Sequence, residues 1–137
     1  MKARVSLTGE LTFTGESGSG HKVTIDSATD VGGQDTGPRP MELVLLGLGG
    51  CSSIDVVMIL RKGRQQVTDC VVEIEAERAD EVPKVFTKIH LHYIFKGVGL
   101  SEQHVQRAIK LSAEKYCSVS RMLEKTVVIT HDYEIQE

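Results

Sequence analysis

Met41-Glu-Leu-Val-Leu-Leu-Gly-Leu-Gly-Gly-Cys51-Ser-Ser-Ile-Asp55-Val-Val-Met-Ile-Leu-Arg-Lys62 reads as one long helix. The stretch before it, Gly37-Pro38-Arg39-Pro40, cannot be helical, so the helix begins near Met41. From Leu43 to Cys51 it is apolar on every side, which predicts a helix buried all round. Gly47, Gly49 and Gly50 each weaken a helix by about 1 kcal/mol relative to alanine, so tertiary contact has to hold it. Close approach of another backbone, that of its own twin, is the expected source. The uncharged run from Leu43 to Ile54 falls short of the roughly 20 residues of a bilayer span, so no membrane segment is expected.

On either side of this helix the pattern is one of strands. Ala3–Leu7 and Leu11–Thr14 flank a Thr8-Gly9-Glu10 turn, and His21–Asp26 makes a third short strand. After the helix, Val67–Ala79 alternates Val72, Ile74 and Ala76 with Glu73, Glu75 and Glu77. Val85–Lys96 turns Ile89, Leu91, Tyr93 and Phe95 inward and Lys88, His90 and His92 outward. Acid on one strand and base on the other predict a cross-strand pair. Ser101 caps a helix to about Tyr116 with Val105, Ala108, Ile109, Ser112 and Tyr116 on one stripe. A restart over Cys117–Lys125 buries Val119, Met122 and Leu123, and Val127, Ile129, Tyr133 and Ile135 alternate along a last strand. The order β-β-β-α-β-β-α-α-β has no repeat or linker. It predicts a single α+β domain over residues 1–137, with the long buried central helix against antiparallel sheets.

Composition narrows the function. With 137 residues, 40% hydrophobic and 26% charged, the chain is an ordinary globular domain, neither disordered nor low-complexity. Aromatics at 4% without tryptophan and a net charge of −3 argue against a nucleic-acid partner. Three cysteines, with no CxxC spacing, are neither a disulfide scaffold nor a metal motif. The first ten residues carry no apolar signal core, so a cytoplasmic protein with reduced thiols is expected.

Chemistry centres on a few residues. Cys51 stands among apolar neighbours, where a thiol is more often structural than reactive, and Asp55 follows one turn later on the same face. Cys117 precedes a short helix whose free N–H groups favour a thiolate. Cys70 reads as core. His90 and His92 lack a third ligand at metal spacing and read as a solvated acid–base face. Gly15-Glu-Ser-Gly-Ser-Gly20 lacks the Gly-Lys-Ser/Thr ending of a phosphate loop. Glu42 sits where a carboxylate caps the helix start, and Arg39 lies between two prolines. Nine positions separate Glu42 from Cys51, about 13 Å along a straight helix and on opposite sides.

Pro40-Met-Glu-Leu-Val-Leu-Leu-Gly-Leu-Gly-Gly-Cys51, followed by Lys115-Tyr-Cys117-Ser-Val-Ser-Arg-Met-Leu123, resembles the two-cysteine pattern of the OsmC/Ohr superfamily of osmotically induced protein C-like peroxiredoxins. The likeness covers essentially the whole chain and is strongest to the small YhfA-type branch. It implies an intertwined homodimer, its two long helices enclosed by sheets of both subunits, with active sites at the interface. It also implies a cofactor-independent thiol peroxidase acting on organic hydroperoxides. Cys51 would become a sulfenic acid, Cys117 would resolve it as a disulfide, and an external dithiol of the lipoyl type would restore the pair; Glu42 and Arg39 are the further candidate site residues. Three positions depart from the pattern. The N-terminal loop that carries the family's arginine reads Thr14-Gly-Glu-Ser-Gly18, the glutamate follows Met41 and not a proline, and Ser118 replaces a proline. The missing arginine favours a second reading, a dimeric redox sensor or small-molecule binder that does not turn over.

Overall fold

The computed structural model describes residues 1–136. The chain forms two compact units, Met1–Leu46 and Gly47–Glu137, with the boundary inside the long helix.

In the first unit β1 (Ala3–Leu7), β2 (Phe13–Ser17) and β3 (Lys22–Ile25) make an antiparallel meander in that order. The Thr8 N–H donates to the Thr12 carbonyl at 2.8 Å, which lengthens the first turn and starts β2 at Phe13, later than the pattern predicts. The loop that follows is folded around Asp26. Its buried carboxylate accepts N–H groups of Ser27, Gln34 and Thr36 and the Thr36 hydroxyl at 2.6 Å. These bonds, above all that of the Thr36 hydroxyl, outweigh burial and hold the Asp26 carboxyl well below the usual range.

Helix α1 (Pro40–Lys62) runs 23 residues without a break at its glycines. By length and composition it meets the requirement for a membrane span, unlike the shorter apolar run the sequence offered. Its buried residues, Leu48, Gly49, Ser52, Val56 and Leu60, form one stripe at helical spacing, as in a helix packed on one side. Within one chain the rest of the helix surface is uncovered: Leu46 is 62%, Ile54 63% and Met58 52% exposed. Gly49 explains one glycine, since a Cβ there would meet Ile74 Cδ1 at 2.8 Å. At Gly47 and Gly50 a Cβ would meet nothing within 4 Å, so the chain itself does not supply the close approach they permit.

The second unit adds β4 (Gln66–Arg78), β5 (Phe86–Val98), α2 (Glu102–Leu111), α3 (Ser118–Leu123) and β6 (Val128–Gln136), with sheet order β4-β5-β6. β4 and β5 pair antiparallel and place Glu73, Glu75 and Glu77 opposite His92, His90 and Lys88. On the inner face Ile89, Leu91, Tyr93 and Phe95 are all buried. β6 lies parallel to β5, so this sheet is mixed and not antiparallel as expected. Parallel neighbours need a long crossover, and α2 and α3 provide it. Ser101 caps α2 by accepting the His104 N–H, and Val105, Ala108 and Ile109 are buried. The expected continuation to Tyr116 is instead a π-helical turn, Ser112–Tyr116, which leaves Tyr116 49% exposed. In α3 the buried side chain is Ser120, while Met122 is 65% exposed, contrary to the predicted stripe.

Candidate active site

Within the second unit α1 and the π-helical turn bring two cysteines together. The sulfurs of Cys51 and Cys117 and a carboxylate oxygen of Asp55 all lie within 4.8 Å of one another. Cys51 and Asp55 share a face of α1 one turn apart, as the spacing predicts. Cys117 arrives from the crossover. The wide π turn ends with the Cys117 N–H donating to the Ser112 carbonyl at 2.8 Å, and its extended backbone makes it the N-cap of α3.

The two thiols differ in environment. Cys51 is half-buried, whereas Cys117 has no exposed surface. The Cys117 sulfur accepts the Ser120 N–H at 3.4 Å, the helix-start contact expected of it. The electrostatic result is nevertheless the reverse of the expectation: burial, aided by Cys51 and Asp55, outweighs that bond and pushes the Cys117 thiol up to about 11. Cys70 lies apart on β4, half-buried, its thiol raised by burial and by Asp69.

Beside the sulfurs runs a chain of hydroxyls. Ser52, next to Cys51, bonds the Tyr93 phenol and, at 3.1 Å, the Ser112 hydroxyl, which in turn donates to Asp55 Oδ2 at 3.4 Å. Ser52, Tyr93 and Ser112 are each almost wholly buried. Sequence reading missed their joint role. A phenol on the inner face of β5 must find a partner, and serines in the apolar stripes of α1 and the crossover are the available ones, but nothing periodic links positions so far apart.

Arg39 and Glu42 lie in the first unit. The Arg39 guanidinium pairs with Asp35 and reaches the Gly37 carbonyl, while its backbone N–H donates to Glu42 Oε1 at 2.8 Å. Glu42 is thus placed as a cap of the α1 start. His90 and His92 bond Thr130, Asp132 and Glu134 on β6, although the β4 glutamates stand opposite them. A cavity of about 450 Å³ in the second unit is lined by Asp55, Met58, Ile59, Arg107 and Tyr116 among others, so one of its walls is a member of the thiol cluster.

Known proteins resemble the chain as a whole. The family described as OsmC-like protein matches residues 33–132. Protein YhfA of Escherichia coli is 54% identical over 135 residues, 98% of each chain. The solved structure of a hypothetical protein from Aquifex aeolicus is 33% identical with a TM-score of 0.83, covering 99% of this chain and 97% of that one. The organic hydroperoxide resistance protein OhrB of Bacillus subtilis, 19% identical over 98% of both chains with a TM-score of 0.65, shares the fold.

Proposed function

The chain belongs to the OsmC-like family, and on that premise we propose that it is a thiol-dependent peroxidase for organic hydroperoxides, with Cys51 as nucleophile and Cys117 as resolving thiol. The observation that carries this reading is two sulfurs within 4.8 Å, one half-buried and one enclosed. Of the two, Cys51 is the sulfur an incoming oxygen can meet.

As the Cys51 sulfur attacks the terminal hydroperoxide oxygen, the S–O bond forms and the O–O bond breaks. The alkoxide leaves as the alcohol with a proton, and Cys51 is left as a sulfenic acid. Asp55, whose carboxylate oxygen lies within 4.8 Å of that sulfur, is the base for the thiol proton, taken directly after a small approach or through one water. Cys117 then attacks the sulfenic sulfur, the S–S bond forms, and water departs with the Cys117 proton. Bonding at about 2.05 Å asks the sulfurs to close by a modest movement. An external dithiol, of the lipoyl type, reduces the disulfide by exchange. No resident cofactor is needed, and Arg39 and Glu42 enter only through the start of α1. The free thiols suit a cytoplasmic location.

A homodimer belongs to the same reading. Gly47, Gly50, Ile54 and Met58 follow one another at helical spacing, open at the glycines and exposed at the side chains. That is the surface a second α1 would cover.

The test is treatment of the reduced protein with one equivalent of cumene hydroperoxide followed by thiol counting. Two of three thiols should be lost, with Cys70 spared; Cys51→Ser should lose none, and Cys117→Ser should stop at a sulfenic acid on Cys51. Consumption of hydroperoxide by Cys51→Ser at the wild-type rate would overturn the assignment. The raised Cys117 thiol, pushed up by burial with Cys51 and Asp55 beside it, favours the second reading, a redox sensor that oxidises once. Repeated turnover with dihydrolipoamide excludes that sensor, and oxidation without turnover establishes it.

A further inference from the structure

We propose that the reduced chain binds one soft divalent cation of the Zn²⁺ class between the sulfurs of Cys51 and Cys117 and the carboxylate of Asp55. This goes beyond the peroxidase reading and does not depend on it, because the site needs only reduced thiols. Two sulfurs and one carboxylate oxygen form a donor set that suits Zn²⁺, whereas Ca²⁺ and Mg²⁺ take oxygen ligands throughout. A tetrahedral ion with Zn–S of about 2.3 Å and Zn–O of about 2.1 Å holds its donors roughly 3.5 to 3.8 Å apart. The three donor atoms already lie within 4.8 Å of one another, so closing on an ion shortens any separation by about 1.3 Å at most.

The surroundings orient the ligands as metal sites require. Ser112 holds the Asp55 carboxylate, and the Ser120 N–H holds the Cys117 sulfur. The fourth position is left for water or an external ligand. Asp55 is half-buried and lines the cavity beside Met58 and Tyr116, which gives an ion a route in. Binding replaces two thiol protons and ties up the sulfur lone pairs, so the occupied site does not attack a hydroperoxide. Two-electron oxidation of the ion-free fraction, with which the occupied site is in equilibrium, draws the ion off. The two thiolates give an S–S bond, the hydroperoxide takes both electrons and two protons to become alcohol and water, and the ion is released.

Titration of the reduced protein with Co²⁺ tests this, read by thiolate-to-cobalt charge-transfer absorption and tetrahedral d–d bands. One ion per chain is expected, displaced by Zn²⁺. Cys51→Ser and Cys117→Ser should each lose the charge-transfer intensity by half or more, and Asp55→Asn should weaken binding at least about tenfold. Cys70→Ser should bind as wild type, and circular dichroism confirms that each variant is folded. Absence of the band in folded, reduced wild-type protein, or an undiminished band in Cys51→Ser, would overturn the proposal. Because the readout is spectroscopic, metal binding without peroxidase activity refutes the peroxidase alone, and the converse refutes the metal site alone.

Discussion

Ser52 bonds two hydroxyls at once, and through it the Tyr93 phenol is joined to Ser112 and so to Asp55. Burial outweighs the Ser52 bond and pushes Tyr93 up to about 12, so the phenol stays neutral and remains a proton donor within the chain. The same desolvation governs Cys117, raised to about 11, and this has a kinetic consequence. Only the thiolate attacks a sulfenic sulfur, and below the thiol's own value its thiolate fraction grows tenfold per pH unit. Resolution of a Cys51 sulfenic acid should therefore accelerate about tenfold per unit between roughly pH 7 and roughly pH 10, followed by quenched thiol counting after a single oxidant pulse. A rate that levels off near pH 8.5, about the ordinary thiol value, would refute it. Both cysteines were legible in the sequence because each sits in a distinctive local run. Their hydroxyl neighbours were not, since the partners of Ser52 come from β5 and the crossover, and contacts at that range follow from topology and not from period.

Strand β6 completes its sheet by lying beside the histidines of β5, and their pairing makes this edge sensitive to pH. His92 donates toward Asp132 at 2.7 Å and Glu134 at 3.1 Å, and His90 toward Asp132 at 2.9 Å, with Glu73 and Glu75 in register from the other side. Asp132 first, then Glu134, raises His92 above its ordinary 6.5. The stability this supplies is complete below 6.5 and is lost as pH climbs through the raised value. His92, followed by His90, lowers Asp132 below its ordinary 3.8, and that contribution is present above 3.8 and lost as pH falls through the lowered value. In urea unfolding the midpoint should fall as pH rises beyond about 6.5, and His92→Gln should flatten that slope. An identical slope in the variant would exclude the pairing. The alternation of β4 and β5 was readable because one face is apolar and the other charged. The partner of the charged face was not, because the parallel register of β6 is set by the length of the crossover.

Taken as one molecule, the chain leaves much apolar surface in water. The meander exposes Val5 at 61% and Leu7 at 62%, and α1 exposes Ile54 and Met58. Patches of this kind mark association surfaces. Burying an Ile or Met side chain contributes about 1.5 to 3 kcal/mol, so Ile54→Glu with Met58→Glu, counted in both copies, should weaken dimerisation at least about a hundredfold. Light scattering should give twice the chain mass for the wild type and the chain mass for the double variant; a wild type that is monomeric at micromolar concentration would sink the dimer. The position of Cys117, delivered by the crossover to a helix that precedes the whole sheet, carries a last implication. Linking it to Cys51 encloses a ring of roughly 65 residues, and a tether of that length strips about 4 kcal/mol of configurational freedom from the unfolded ensemble. The oxidised form would then be the harder one to melt, and the heat resistance of a sample would record its oxidation history.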